Sequence, residues 1–226
     1  VLIDTGEGKS SWSIALQSLL KSEKADIVTV LLTHWHPDHV GGVKDVLEIF
    51  PNAKIYKHRI QHDPESYLDI HHTQRFDTDG ATLSAVFSPG HTDDHTAFML
   101  LEETAMFTGD NVLGHGTAKF EDLGLYLESL QTMLKEAPLR LYPGHGEVID
   151  DGTRKITEYT RHRQEREDQV MQVLQSKDSG RSESFKSSKW DPMQVVKIVY
   201  KDVPENLHQA AHHGVIQILE KLQTEK

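Results

Sequence analysis

The chain opens on a short apolar run, Val1-Leu2-Ile3, halted by Asp4-Thr5-Gly6, which predicts a buried strand running into a turn. Ser10 or Ser11 is placed to cap a helix to about Lys21, with Trp12, Ile14, Leu16, Leu19 and Leu20 supplying apolar contacts. From Asp26 to Thr33 a β-branched run predicts a second strand. His34 to Gly42 is turn-rich, and a short helix follows to about Phe50, ended by Pro51-Asn52. Lys54 to Lys57 predicts a third strand, whereas His58 to Gly80 is polar and gives no assignment. Leu83 to Phe87 alternates as a strand does and stops at Ser88-Pro89-Gly90. Ala97 to Leu101 and Ala105 to Thr108 form an expected hairpin about Glu102-Glu103-Thr104. Asp122 to Glu136 is amphipathic, with Leu123, Tyr126, Leu127, Leu130, Met133 and Leu134 on one side. Leu139 to Tyr142 is a last strand before the turn Pro143-Gly144-His145-Gly146.

Beyond that turn the pattern changes. Arg154 to about Ser176 predicts one long, highly charged helix, and Lys177 to Lys189, rich in Ser and Lys, a linker. Short helices are expected over Met193–Tyr200, Pro204–His212 and Gly214–Leu222. The change divides the chain into residues 1–165 and a helical part, 166–226. Strands mixed with helices and hairpins place the first part in the α/β or α+β class, sheets covered by helices.

Composition narrows the function classes. Hydrophobic residues make up 37% of the 226, and no apolar run approaches the roughly 20 residues needed to span a bilayer. No membrane association is expected. The net charge of −11 argues against broad nucleic-acid binding, where affinity comes from neutralising phosphates. There is no cysteine, which excludes disulfides and thiolate chemistry and leaves any metal to nitrogen and oxygen ligands. The expected location is intracellular and cytoplasmic. Val1 already lies in a strand-like run, so the natural start, with any targeting segment, is expected upstream.

Histidine is the anomaly, at 15 residues. In Thr33-His34-Trp35-His36-Pro37-Asp38-His39 the first two histidines are two apart at a strand end, so both can reach one metal. Asp38 and His39 lie further round the turn, placed for a second. Three more strand ends carry a ligand type beside glycine: Ser88-Pro89-Gly90-His91, Phe107-Thr108-Gly109-Asp110 and Tyr142-Pro143-Gly144-His145-Gly146. One histidine or aspartate in a turn is usually structural. Together these supply enough donors for two metals.

The order Asp4-Thr5-Gly6, Thr33 to His39, His91, Asp110 and His145 resembles the metallo-β-lactamase superfamily. The resemblance implies a four-layer αββα sandwich with the site at one edge of two sheets. It also implies that the family's opening strands of the first sheet would precede Val1, so the N-terminal strands are missing from this chain. Carried over, His34, His36 and His91 would bind one zinc, Asp38, His39 and His145 a second, and Asp110 would bridge them. Asp4 would orient the metal loop. Nearer similarity lies in Pro89-Gly90-His91-Thr92-Asp93-Asp94-His95, Gly114-His115-Gly116-Thr117 and Val196 to Leu207-His208, which look like the β-lactamase-like protein 2 branch. That branch implies a C-terminal helical, winged-helix-like domain. It includes animal single-strand endoribonucleases and fungal thioesterases that release aromatic polyketides such as atrochrysone carboxylic acid from an acyl carrier protein. Val1 to Lys9 and Gly109 to Gly116 look more like the thioesterases.

The expected chemistry is attack of activated water on an electrophilic centre held by two zinc ions per chain, with Asp38 as the catalytic proton acceptor. Three functions compete. The first is hydrolysis of a polyketide thioester with acyl carrier protein as partner, where a thiolate leaves without an acid. The second is cleavage of single-stranded RNA, for which His115 or His95 is the candidate proton donor, although the plainer expectation for each is a pocket-rim or loop histidine; the acidic balance and 7% aromatic content disfavour this function. The third is a non-catalytic metal-binding relative acting through its helical tail, disfavoured by a complete ligand set. Nothing in the pattern fixes an oligomeric state.

Overall fold

The computed structural model describes residues 1–176 and 190–224; the expected linker lies outside the described residues. The described chain forms two compact units, Val1–Thr157 and Glu158–Lys226.

The first unit contains two sheets. One is parallel, in the order β1 (Leu2–Ile3), β2 (Thr29–Leu31), β3 (Lys54–Lys57), β4 (Leu68–Asp69). The other runs β5 (Arg75–Thr78), β6 (Ala81–Phe87), β7 (Thr96–Leu100), β8 (Ala105–Gly109), β9 (Arg140–Pro143), antiparallel except for the last pair. The apolar run Val30-Leu31-Leu32 explains why the first sheet is covered on both sides. Leu31 points to a core shared with Ile70, Phe76, Leu83, Ala85 and Phe98, which joins the two sheets. Val30 and Leu32 point the other way, against Leu16, Val43 and Val46 of α1 (Ser10–Glu23) and α3 (Val43–Ile49). A strand buried on both faces reads as a continuous hydrophobic run for this reason. On the far side of the second sheet, Leu123, Tyr126, Leu130 and Met133 are buried along one face of α4 (Leu123–Lys135). The layers are therefore helix, sheet, sheet, helix, as the resemblance implied.

In the elements of this first unit the sequence-based expectations need four corrections. Lys9 is the N-cap of α1, without a side-chain cap bond, so neither Ser10 nor Ser11 caps it. Ile14 and Leu19 are exposed rather than packed. The second strand is only Thr29–Leu31, since Asp26 to Val28 lie before its ladder with β1 and β3. The unassigned polar stretch holds β4 and β5, in which Phe76 is the buried residue.

In the second unit, α5 (Gly152–Gln175, beginning in the first) is followed by α6 (Pro192–Val199), a 3₁₀ turn at Glu205–Leu207 and α7 (His208–Thr224). Asp191 and Gln194 close a capping box at the start of α6. Glu167 on α5 and Lys221 on α7 pair at 3.1 Å with both side chains largely buried. The expected break at Gly214 is absent: α7 runs through it.

Candidate metal centre

The strand β2 delivers the chain to Thr33, and backbone bonds fix it there. Asp4 N–H donates to Leu31 O, and Thr96 N–H to Thr33 O. His34 follows, fully buried, then Trp35, exposed, then His36. Pro37 opens the short helix α2 (Pro37–Val40), a position suited to a residue without an N–H, and the turn presents Asp38 and His39. His91 enters after β6, Asp110 after β8 and His145 after β9. Glycine is required at one of these turns. Gly90 has φ +123°, and a Cβ there would strike the backbone of Tyr126 at the start of α4.

The seven residues converge as two groups. His34, His36, His91 and Asp110 form one; Asp38, His39 and His145 form the other. In the first, His34 Nε2 lies 3.0 Å from His36 Nδ1 and 3.3 Å from His91 Nε2, and His91 Nε2 lies 3.1 Å from His36 Nδ1. Tetrahedral zinc with nitrogens at 2.0–2.1 Å spaces them about 3.3 Å apart. The triangle therefore fits a cation.

For His91, His34 and His39 the partner on the far side of the ring says which nitrogen carries a proton. His91 Nδ1 is 2.9 Å from Lys119 O, a carbonyl that can only accept, so Nδ1 donates and Nε2 turns a lone pair to the cluster. Thr33 donates its hydroxyl to Asp4 Oδ2 at 2.8 Å, so it accepts from His34 Nδ1 at 2.9 Å. His39 Nδ1 donates to the same Asp4 oxygen at 2.7 Å. Asp4 also accepts Thr33 N–H at 2.8 Å, so a single carboxylate fixes the metal loop and two of its imidazoles. It does so at φ +56°, a backbone region aspartate tolerates better than most residues. This is the orienting role that the family resemblance implies for it.

Asp110 stands between the groups. Its Oδ1 is 3.4 Å from His39 Nε2 and 3.5 Å from His145 Nε2, and its Oδ2 is 3.7 Å from His91 Nε2. Oδ1 is buried without a hydrogen-bond partner among the described residues, a costly arrangement that a shared cation would relieve. His145 Nε2 meets Asp38 Oδ2 at 3.0 Å. Electrostatics divide the imidazoles. Burial, then the neighbouring rings of His95, His39, His91 and His36, push His34 far below the usual histidine range. Burial also lowers His39, but the carboxylates of Asp110 and Asp4 outweigh it and raise this imidazole to about 10.

Other histidines fall outside the constellation. His62, His71, His72 and His115 are exposed. His95 is not the rim or loop residue its position suggested. It is 1% exposed, and both ring nitrogens are engaged, with Ser88 Oγ and Asp110 N–H, which removes it as a proton donor. Sequence reading also passed over Lys57, fully buried at the end of β3 between Asp63 Oδ2 at 2.6 Å and Asp94 Oδ2 at 2.5 Å. A cleft of about 740 Å³, lined by Leu2, Ile3, Leu83, Leu100 and Phe107, opens beside β1 and reaches Asp38, His39 and His145.

Comparison with known proteins agrees with this architecture. The family model of the metallo-beta-lactamase superfamily matches residues 1–145, and that of the beta-lactamase associated winged helix domain matches 192–226. The chain is 40% identical to the beta-lactamase-like protein 2 homolog of Drosophila melanogaster over 238 residues, covering all of this chain and 78% of that protein. It is 46% identical to an atrochrysone carboxyl ACP thioesterase of Claviceps purpurea (strain 20.1), over 77% of this chain and 56% of that one. In fold it is similar to a metallo-beta-lactamase family protein from Thermus thermophilus, with TM-score 0.71 and 21% identity, over 99% of this chain and 84% of that one. By its sandwich, its converging strand ends and these matches, the chain belongs to the metallo-beta-lactamase superfamily, with the beta-lactamase associated winged helix domain at its C-terminal end.

Proposed function

We propose that this hydrolase is a binuclear zinc thioesterase that releases a polyketide acyl chain from an acyl carrier protein. The carrying observation is Asp110, whose two carboxylate oxygens face two separate groups of imidazole nitrogens. On this reading His34, His36 and His91 hold one zinc, Asp38, His39 and His145 the other, and Asp110 lies between them. Zinc bound there supplies Lewis acidity, which acidifies water and takes up charge developing on a carbonyl oxygen.

The chain's own groups do the rest. Asp38, about one-third exposed and facing His145, accepts the proton of the attacking water. Asp4 keeps the Nδ1 protons of His34 and His39 in place, directly and through Thr33, so their Nε2 atoms stay aimed inward. Trp35, 40% exposed with its ring 4.6 Å from that of His36, offers an aromatic lip to an acyl chain. A thiolate with pKa near 8–9 leaves without a proton donor. Two relatives carry the thioesterase activity in their names, at 46% and 41% identity, which supports this bond class over a phosphodiester.

The test compares zinc-loaded protein on an acyl thioester and on single-stranded RNA. Thioester hydrolysis lost on chelation, and lost in His36→Ala, is the expected result. Hydrolysis indifferent to chelation sinks the metal reading; RNA cleavage alone sinks the thioester.

A further inference from the structure

His95 binds nothing in the reading above, yet it lies against the centre, its ring centroid 5.3 Å from His34 and 5.9 Å from His91. Its environment fixes its state. Asp110 N–H points at His95 Nε2 at 3.2 Å, and a backbone N–H can only donate, so Nε2 is the acceptor. The ring proton therefore sits on Nδ1 and goes to Ser88 Oγ, 2.9 Å away. Ser88 Oγ is held in turn by Ala97 N–H at 3.0 Å, in the ladder between β6 and β7. The turn that carries Asp110 rests on this ring: Gly109 has φ +49°, and a Cβ on it would come within 2.5 Å of His95 Nε2. The next residue is tied down as well, since Asn111 Nδ2 donates to Ser88 O at 2.6 Å.

We infer that His95 is a positioning residue. Through its unprotonated Nε2 it holds the backbone of Asp110, and so sets the carboxylate that faces both groups of ligands. The inference rests on the proposed two-metal reading for its consequence. The sheet supplies the reference frame through Ser88, the imidazole carries it across, and the Gly109-Asp110 turn receives it. Without the acceptor, Asp110 N–H loses the partner it has on His95, and the turn is free to rotate its carboxylate away.

The experiment adds Co(II) to the full chain after metal depletion, following calorimetric stoichiometry and visible absorption. The unsubstituted chain is expected to take up two equivalents. His95→Phe, which keeps a ring and removes the acceptor, is expected to keep one equivalent, to weaken the other about tenfold or more, and to change the visible band. His95→Gln, whose amide oxygen can accept the same N–H, is expected to restore most of that loss. If His95→Phe does not fold, Ser88→Ala carries the test, with the same weakening expected. Wild-type affinities and spectrum in the variant overturn the inference and leave the two-metal reading standing. A His95→Gln chain as weak as His95→Phe also overturns it, because restoring an acceptor for Asp110 N–H would then restore nothing. An unsubstituted chain that takes up no Co(II) overturns the reading beneath it, and the inference falls with it.

Discussion

Single residues divide here into those that face the centre and those that hold the facing residues still. Asp4 is the clearest of the second kind, touching Thr33 twice and His39 once. Asp4→Ala is expected to lower zinc affinity about 10–100-fold with the fold retained, measured by competition with a chromophoric chelator. Lys57 holds a different place. Lys57→Met leaves Asp94, fully buried, without its cation, and a broken buried pair costs about 3–5 kcal/mol. Urea unfolding is expected to show that loss. The facing residues were legible in sequence because their signal is local: a ligand type, a glycine and a strand end recur together. Of the holding residues only Asp4 was, through the family resemblance; Lys57 and His95 were not, because their partners lie elsewhere in the chain. Lys57 meets residues 6 and 37 positions on, and His95 meets Ser88 before it and Asp110 well after it. One residue type, histidine, serves both roles, so composition alone separates neither.

Elements were legible where their apolar pattern had one reading. Lys54–Lys57 has the bounds expected, and β7 with β8 forms the hairpin expected about Glu102-Glu103-Thr104. α4 starts where Asp122 announced it, with Oδ1 accepting Leu125 N–H at 2.9 Å. Failure came where the signal was thin. Arg75–Thr78 offers one buried apolar residue, Phe76, and pairs only because β6 lies alongside. Gly214 misled in the other direction, since glycine is a fair sign of a helix end but was tolerated inside α7. A Cβ on it would meet nothing within 4 Å among the described residues. Gly214→Ala is therefore expected to stabilise the chain by about 0.5–1 kcal/mol, read as a raised unfolding midpoint in the second unit.

At the scale of the whole molecule, four strand ends bring seven donors to one edge of two sheets, and the chemistry depends on that convergence rather than on any one element. The αββα architecture was legible because the order of those donors along the chain carries the family resemblance that implies it. Both donor groups have buried members, His39 at 3% exposed among them, but the second has the side chains most open to solvent at its rim. His34 is fully buried and His91 6% exposed, whereas the side chains of Asp38 and His145 stand 36% and 41% exposed. On the proposed reading, that difference becomes one of exchange kinetics. A competing chelator in the medium meets the outer cation first, so stripping is expected to run in two phases in stopped flow, the faster one abolished in His145→Ala. A single phase that this substitution leaves unchanged would show that the two positions empty together. The inner position then behaves as a resident and the outer one as a visitor, so the fraction of molecules carrying both follows the free zinc of the surroundings.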